Sequence, residues 1–269
     1  MVSLKKFIIL SIFSLVFGQN NNDFGYKIMK NNKGTNIKFV GKAPKIKIFP
    51  SINEGESNGF LMLSMNKLLE VTSDNQITTN RIDSFASQHN INFYGPYIDN
   101  ETNKTTVYFA GTPNRFENTN INISVSSYQN SENILYGSKF LIAPELSIKW
   151  SIEIDNWPFI NNSNYLQFII DLDYSTKNKS KNINKINNDV NIDTGIVKSI
   201  INLPDYVMIN GNEQLFNITY TNDNIYFNFP SFSYMYYDPI ITQTSKGFIN
   251  TFSPLLIIFL YIITYMSLV

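Results

Sequence analysis

Two neighbouring stretches decide the fold: ELSIKWSIEID, residues 145–155, and YLQFIIDLDY, residues 165–174. In the first, Leu146, Ile148, Trp150, Ile152 and Ile154 alternate with Ser147, Lys149, Ser151, Glu153 and Asp155. In the second, Leu166, Phe168, Ile170, Leu172 and Tyr174 hold the same parity. Alternation with period two over ten residues is the mark of a half-buried strand. The intervening NWPFINNSN, residues 156–164, is rich in turn formers. An antiparallel hairpin with Asp155 opposite Tyr165 pairs Ile154 with Leu166, Ile152 with Phe168, Trp150 with Ile170 and Ile148 with Leu172. Its wet face sets Lys149 against Asp171 and Glu153 against Gln167. A slip of one residue would turn one apolar set outward, so this parity is favoured. Glu153, Asp155, Asp171 and Asp173 then read as solvated strand residues.

Working outward, residues 215–220 and 225–229 flank Thr-Asn-Asp-Asn and predict a hairpin with Phe216 opposite Phe229 and Ile218 opposite Phe227. Residues 120–126 alternate through Ile121, Ile123 and Val125. Strands are also expected over 36–40, 45–49, 106–110 and 135–142. Residues 59–71 are apolar without a clear period and carry no assignment. Residues 81–89 read as a short helix, with Ile82, Phe85 and His89 on one side and Asn80 as its cap. Residues 175–193 offer too little apolar surface to offset the entropy of ordering and read as a mobile loop. The expectation is an all-β chain, an antiparallel β-sandwich with at most one short helix. One domain over 19–245 is the economical reading; a split near residue 113 into two smaller β-domains is the alternative.

The ends carry a different pattern. Lys5 and Lys6 precede an apolar run over 7–17 that closes with small residues at Val16 and Gly18, and the chain turns polar at Gln19. This is the pattern of a secretory signal peptide, residues 1–18, cleaved after Gly18. An eleven-residue run in a helix spans only ~17 Å, against a bilayer core of ~30 Å. At the other end, residues 255–269 are uncharged and apolar. Ser245, Lys246 and Gly247 fit a lipid-attachment site, with small residues at the first and third positions. Residues 246–269 therefore read as a glycosylphosphatidylinositol (GPI) signal with Ser245 as the attachment residue. A C-terminal transmembrane helix is the alternative. Six Asn-x-Ser/Thr sequons, at Asn100, Asn103, Asn122, Asn161, Asn178 and Asn217, lie between the ends. Asn122 and Asn217 sit between apolar neighbours, so on a strand both are expected to face water.

Composition narrows the chemistry. The 269 residues include no cysteine, one histidine and 39 asparagines, and carry no net formal charge. Loss of 1–18 and 246–269 removes Lys5, Lys6 and Lys246 and leaves 18 basic against 21 acidic side chains. A disulfide scaffold, a thiol enzyme and a cysteine-based zinc module are excluded, and a weakly acidic chain lacks the cations of a nucleic-acid binder. His89, beside Ser84 and Ser87 with no nucleophile elbow, reads as a surface histidine. Asp171 and Asp173 share a strand face, the only motif for a hydrolase with a carboxylate pair. No catalytic, metal or cofactor residue is assigned.

Two features suit binding. Residues 27–47 hold seven lysines (27, 30, 33, 38, 42, 45 and 47) and no acid. The favoured reading is a solvated edge, with Ile37, Phe39, Ile46 and Ile48 inward and Lys38, Lys45 and Lys47 outward. Residues 226–237 hold seven aromatics in twelve positions. Phe227 and Phe229 belong to the core. Phe232, Tyr234, Tyr236 and Tyr237 are expected at the anchor-proximal base of the sandwich. Signal peptide, Asn-rich β ectodomain and C-terminal anchor signal together resemble, in layout and composition, the small GPI-anchored cell-surface glycoproteins of social amoebae. That resemblance implies a glycoprotein on the outer face of the plasma membrane, acting in recognition or adhesion towards a cell-surface protein or glycan. A structural surface coat is the bland alternative.

Overall fold

The computed structural model describes residues 24–30, 33–40, 44–50, 60–175, 182–186, 189–193 and 197–245. The strands, in chain order, are β1 (Phe24–Lys30), β2 (Lys33–Phe39), β3 (Lys45–Pro50), β4 (Phe60–Val71), β5 (Ile77–Ile82), β6 (Ile91–Asp99), β7 (Lys104–Gly111), β8 (Asn120–Tyr128), β9 (Glu132–Tyr136) and β10 (Lys139–Ala143). They continue with β11 (Ser147–Asp155), β12 (Tyr165–Ser175), β13 (Asn182–Ile186), β14 (Asp189–Asp193), β15 (Val197–Asn202), β16 (Tyr206–Ile209), β17 (Asn212–Leu215), β18 (Asn217–Tyr220), β19 (Asn224–Pro230), β20 (Tyr234–Tyr237) and β21 (Ile240–Ser245). A single 3₁₀ turn, Phe85–Ser87, is the helical element among the described residues. The fold is all-β and sandwich-like, with every described strand pairing antiparallel.

One sheet runs β1-β2-β3-β4-β12-β19-β18, with β5 beside the upper half of β4. The other runs β13-β14-β15-β21-β11-β20-β16-β17, and β8, β7 and β6 extend it from the opposite side of β11. Their inner faces meet through aromatic rings. Trp150 of β11 lies against Phe168 of β12 and Phe227 of β19, with centroids 6.2 and 6.3 Å apart. Phe39 of β2 meets Phe93 of β6 at 5.6 Å. Phe85, on the 3₁₀ turn, contacts Phe168 of one sheet and Phe109 of the other, each at 6.2 Å. One continuous apolar core runs from Ile37 to Ile241.

The expected hairpin between residues 145–155 and 165–174 is overturned. Both stretches are strands, and Ile148, Trp150, Ile152, Ile154, Leu166, Phe168, Ile170 and Leu172 are all buried. They lie in opposite sheets. β11 pairs with β8 on one side and with β20 and β21 on the other; β12 pairs with β4 and β19. Residues 156–164 carry the chain from one sheet to the other. Alternation fixes which face is buried and says nothing of whether the partner sits beside the strand or across the core. The expected polar pairs change accordingly. Asp171 accepts from Asn66 Nδ2 and Asn224 Nδ2, both at 2.7 Å, and Gln167 Nε2 donates to Asn228 at 2.9 Å.

Three further expectations are corrected. Residues 81–89 are not a helix: the β-branched run Ile77-Thr78-Thr79 extends β5 through Ile82, leaving the 3₁₀ turn with Phe85 buried, and His89 lies beyond that turn, exposed. Residues 135–142 are two strands, β9 and β10, because Gly137 turns the chain at a φ of 58°. Part of the expected mobile loop is sheet: β13 and β14 lie within it, and Val190 and Ile192 are fully buried beside β15. The 225–229 hairpin keeps its expected register, with Ile218 opposite Phe227, although its first strand starts at Asn217. Residues 59–71, left unassigned, supply β4, which pairs with β3, β5 and β12.

The signal segment with cleavage after Gly18, residues 246–269 and Asn178 lie outside the described residues. Among the described residues no helix is long and apolar enough to cross a membrane.

Candidate functional site

A cleft of about 510 Å³ opens on the outer face of the first sheet, at one end of the sandwich. Its floor follows from register. Tyr165 stands opposite Pro230, and Asn228 stands opposite both Gln167 and Asn217, so these side chains share the face turned away from the core. Asn75, in the turn between β4 and β5, and Asn162, in the 156–164 connection, form the walls. Leu215, 77% exposed, forms the rim.

The cleft is fixed by hydrogen bonds. Tyr165 donates its hydroxyl to Asn75 Oδ1 at 2.9 Å, which orients the ring. Gln167 occupies Asn228 Oδ1. Each asparagine thus keeps its Nδ2 as the donor available to a ligand. The 156–164 wall is held by Glu70 of β4, whose carboxylate is fully buried. Glu70 accepts from the Ile160 backbone N–H at 2.8 Å and from Asn164 Nδ2, and its other oxygen accepts from Thr78 at 3.3 Å. Ser231 donates to the Asn162 carbonyl at 2.7 Å. Aromatic and proline surface beside neutral amide donors suits an uncharged, hydroxyl-rich ligand. The sequence reading missed this cleft, because its residues come from four separate segments. The Asn210-Gly211 pair, at φ of 50° and 82°, was the legible signal for the β16–β17 hairpin that delivers Leu215.

The cleft and Ser245 lie at opposite ends. Asp155 pairs with Tyr234 near the cleft, and the chain then runs along β11 and β15 until Ser245 pairs with Val197. Eleven strand steps of ~3.3 Å give about 36 Å. The aromatic stretch therefore starts at the end away from Ser245, which corrects its expected position. Phe232 is buried edge-on against Phe159 at 5.2 Å, Tyr237 is fully buried and donates to the Pro204 carbonyl at 2.9 Å, and Tyr234 is 40% exposed. Between Tyr237 and Ser245 the chain runs along the sheet as β21.

A second polar site lies on the outer face of the other sheet, beneath the β9–β10 hairpin. Tyr136 donates to the Tyr206 and Tyr236 carbonyls at 3.1 and 3.3 Å, and its ring stacks on Tyr206 at 4.8 Å. Ile134, Leu141 and Ala143 pack on Tyr128 and Ile240. Under this cover Lys149 Nζ donates to Asp238 Oδ2 at 3.0 Å and to the Tyr236 hydroxyl at 3.1 Å, and Tyr236 donates to the same carboxylate oxygen. Asp238 is fully buried, and the Lys149 side chain is 13% exposed. Burial, with the nearby Asp238 charge, holds the Tyr236 phenol far above the ordinary tyrosine range. Both hydrogen bonds to Asp238 in this cluster converge on its Oδ2, and the buried Asp238 Oδ1 has no partner among the described residues.

The expected glycosylation residues are scattered. Asn100, Asn161 and Asn217 are exposed and Asn103 is half-buried in a turn. Asn122 is half-buried in the middle of its sheet, and its Nδ2 donates to Glu153 Oε2 at 3.2 Å, so it does not stand free in water as expected. Ser245 ends β21. Asp173 is exposed and Asp171 half-buried, both on the outer sheet face. The inward set Ile37, Phe39, Ile46 and Ile48 is buried, opposite Lys38, Lys45 and Lys47. Among the described residues no three His, Cys, Asp or Glu side chains gather as metal ligands. No protein-family model and no curated protein matches the chain.

Proposed function

We propose that the protein is a cell-surface glycoprotein that acts as a recognition or adhesion module, with the amide-lined cleft as its ligand site. In this reading residues 1–18 direct secretion, residues 246–269 are exchanged for a lipid anchor at Ser245, and the protein stands on the outer face of the plasma membrane. The observation that carries it is the placement of the cleft at the end of the sandwich opposite Ser245. An anchor at Ser245 would turn the cleft outward, towards another cell or its glycans. Tyr165 and Pro230 offer ring surface, and Asn75 and Asn228 offer neutral donors, which together suit the faces and hydroxyls of a sugar or a polar peptide.

Treatment of intact cells with a phosphatidylinositol-specific phospholipase tests the anchor; release of the protein is expected. Retention that survives alkaline extraction would replace the lipid anchor with a membrane-spanning one. The released protein, coated on beads, should bind cells, and Tyr165→Ala with Asn228→Ala should abolish binding while thermal unfolding stays cooperative. Binding unchanged in that variant would remove the cleft from the recognition surface.

A further inference from the structure

Asn217 differs from the other described sequons in its position: it lines the cleft, beside Asn228 on the floor. Its neighbour Phe216 points inward, with its ring 5.0 Å from Phe229 and 5.0 Å from Tyr237. That contact fixes the backbone of β18 and commits the Asn217 side chain to the outer face, beside Asn228. A saccharide joined to Asn217 Nδ2 therefore starts inside the cleft rather than beyond it.

We propose that the N-linked glycan of Asn217 lies in the cleft and occupies it in cis. The inference rests on the reading of the chain as a secreted glycoprotein and supplies the regulation of its ligand site. The first sugar of such a glycan carries an acetamide, ring C–H faces and hydroxyls. The C–H faces pack on Tyr165, Pro230 and Leu215, and the oxygens accept from the amides of Asn75 and Asn228. At about 510 Å³ the cleft falls within the ~300–1,000 Å³ of small-ligand pockets. A tethered ligand needs little intrinsic affinity, because attachment at Asn217 holds it at an effective concentration on the order of millimolar. A free ligand must then displace the tethered one, so chains bare at Asn217 bind it more readily. Asn100 and Asn161 provide the comparison, since each is exposed and neither lines the cleft.

The test uses the full chain expressed in a secretory eukaryotic host, with glycan occupancy read site by site by mass spectrometry. Under native conditions a peptide N-glycosidase should strip Asn217 at least tenfold more slowly than Asn100; after denaturation the two rates should match. Thr219→Ala abolishes the sequon and keeps Asn217. In that variant hydroxyl-radical labelling of Tyr165 should rise several-fold, while Asn100→Gln leaves it unchanged. Asn217 bare or stripped as fast as Asn100, or Tyr165 labelling unmoved by Thr219→Ala, overturns the inference alone when Asn100 and Asn161 carry glycans. A secreted-host product without glycan at any sequon overturns the surface-glycoprotein reading as well.

Discussion

Trp150 and Phe168 face each other across the gap between two sheets, with ring centroids 6.2 Å apart, although their strands are joined by only nine residues. Neither strand hydrogen-bonds to the other; each is an interior strand of its own sheet. The indole of Trp150 is fully buried and also touches Phe227. It therefore ties together both faces of the core. Trp150→Ala should cost about 3–5 kcal/mol through lost burial and the cavity left behind. Its indole N–H has no partner, so Trp150→Phe removes an unmet donor and should cost less than half as much. Urea unfolding monitored by far-ultraviolet circular dichroism measures both.

Lys149 would be a weak surface partner if it faced Asp171 on an open sheet. Instead it pairs with the fully buried Asp238 beneath the β9–β10 hairpin. Removing one member of a buried pair leaves the other charge unmet. Lys149→Ala should therefore cost about 3–5 kcal/mol rather than the ~0–1 kcal/mol of an exposed pair. Lys149→Met combined with Asp238→Leu should cost less than either single change, because no charge is left behind. A double-mutant cycle in urea that came out additive would remove the pair from the stability of this region.

Glu70 should be the residue on which the cleft wall depends. Glu70→Ala strands the buried Asn164 amide, at roughly 1–3 kcal/mol, and frees the Ile160 N–H, whose residue is exposed and whose bond water can replace. Limited proteolysis should then cut within 156–164, and Glu70→Gln should restore part of the protection. An unchanged digestion pattern in the alanine variant would show that the connection holds itself.

Alkaline pH should unfold the protein through its tyrosines. Burial pushes the phenols of Tyr128, Tyr136, Tyr236 and Tyr237 well above the ordinary range, and Tyr206 is pushed up to about 12 by burial and then by neighbouring carboxylates. In the unfolded chain each titrates near 10. Above that pH the unfolded state binds fewer protons than the folded one, so stability falls as pH rises. The contribution is complete below about pH 10 and is lost towards the folded values, at ~1.4 kcal/mol per pH unit for each phenol ionised only in the unfolded chain. Absorbance at 295 nm should show these groups titrating with unfolding, and urea midpoints should drop steeply above pH 10. Full tyrosine ionisation near pH 10 with the fold intact would contradict it.

The sequence by itself determined the class of fold and the inward face of its strands. Ile148 to Ile154 and Leu166 to Leu172 are buried at the parity their alternation demands, and Ile218 meets Phe227 because the four-residue turn leaves one register. Local chemistry is enough for such features: side chains of a strand alternate, and turns of known length align what they join. Only the tertiary structure decided which strands are neighbours. Trp150 has the same apolar surface whether Ile170 lies beside it or Phe168 lies opposite, so burial alone cannot choose. The cover over Lys149 and the burial of Val190 and Ile192 likewise depend on segments distant in the chain. The cleft was decided in the same way, since Asn75, Tyr165, Asn217 and Asn228 become one surface only when β12, β19 and β18 pair and the β4–β5 turn closes over their end.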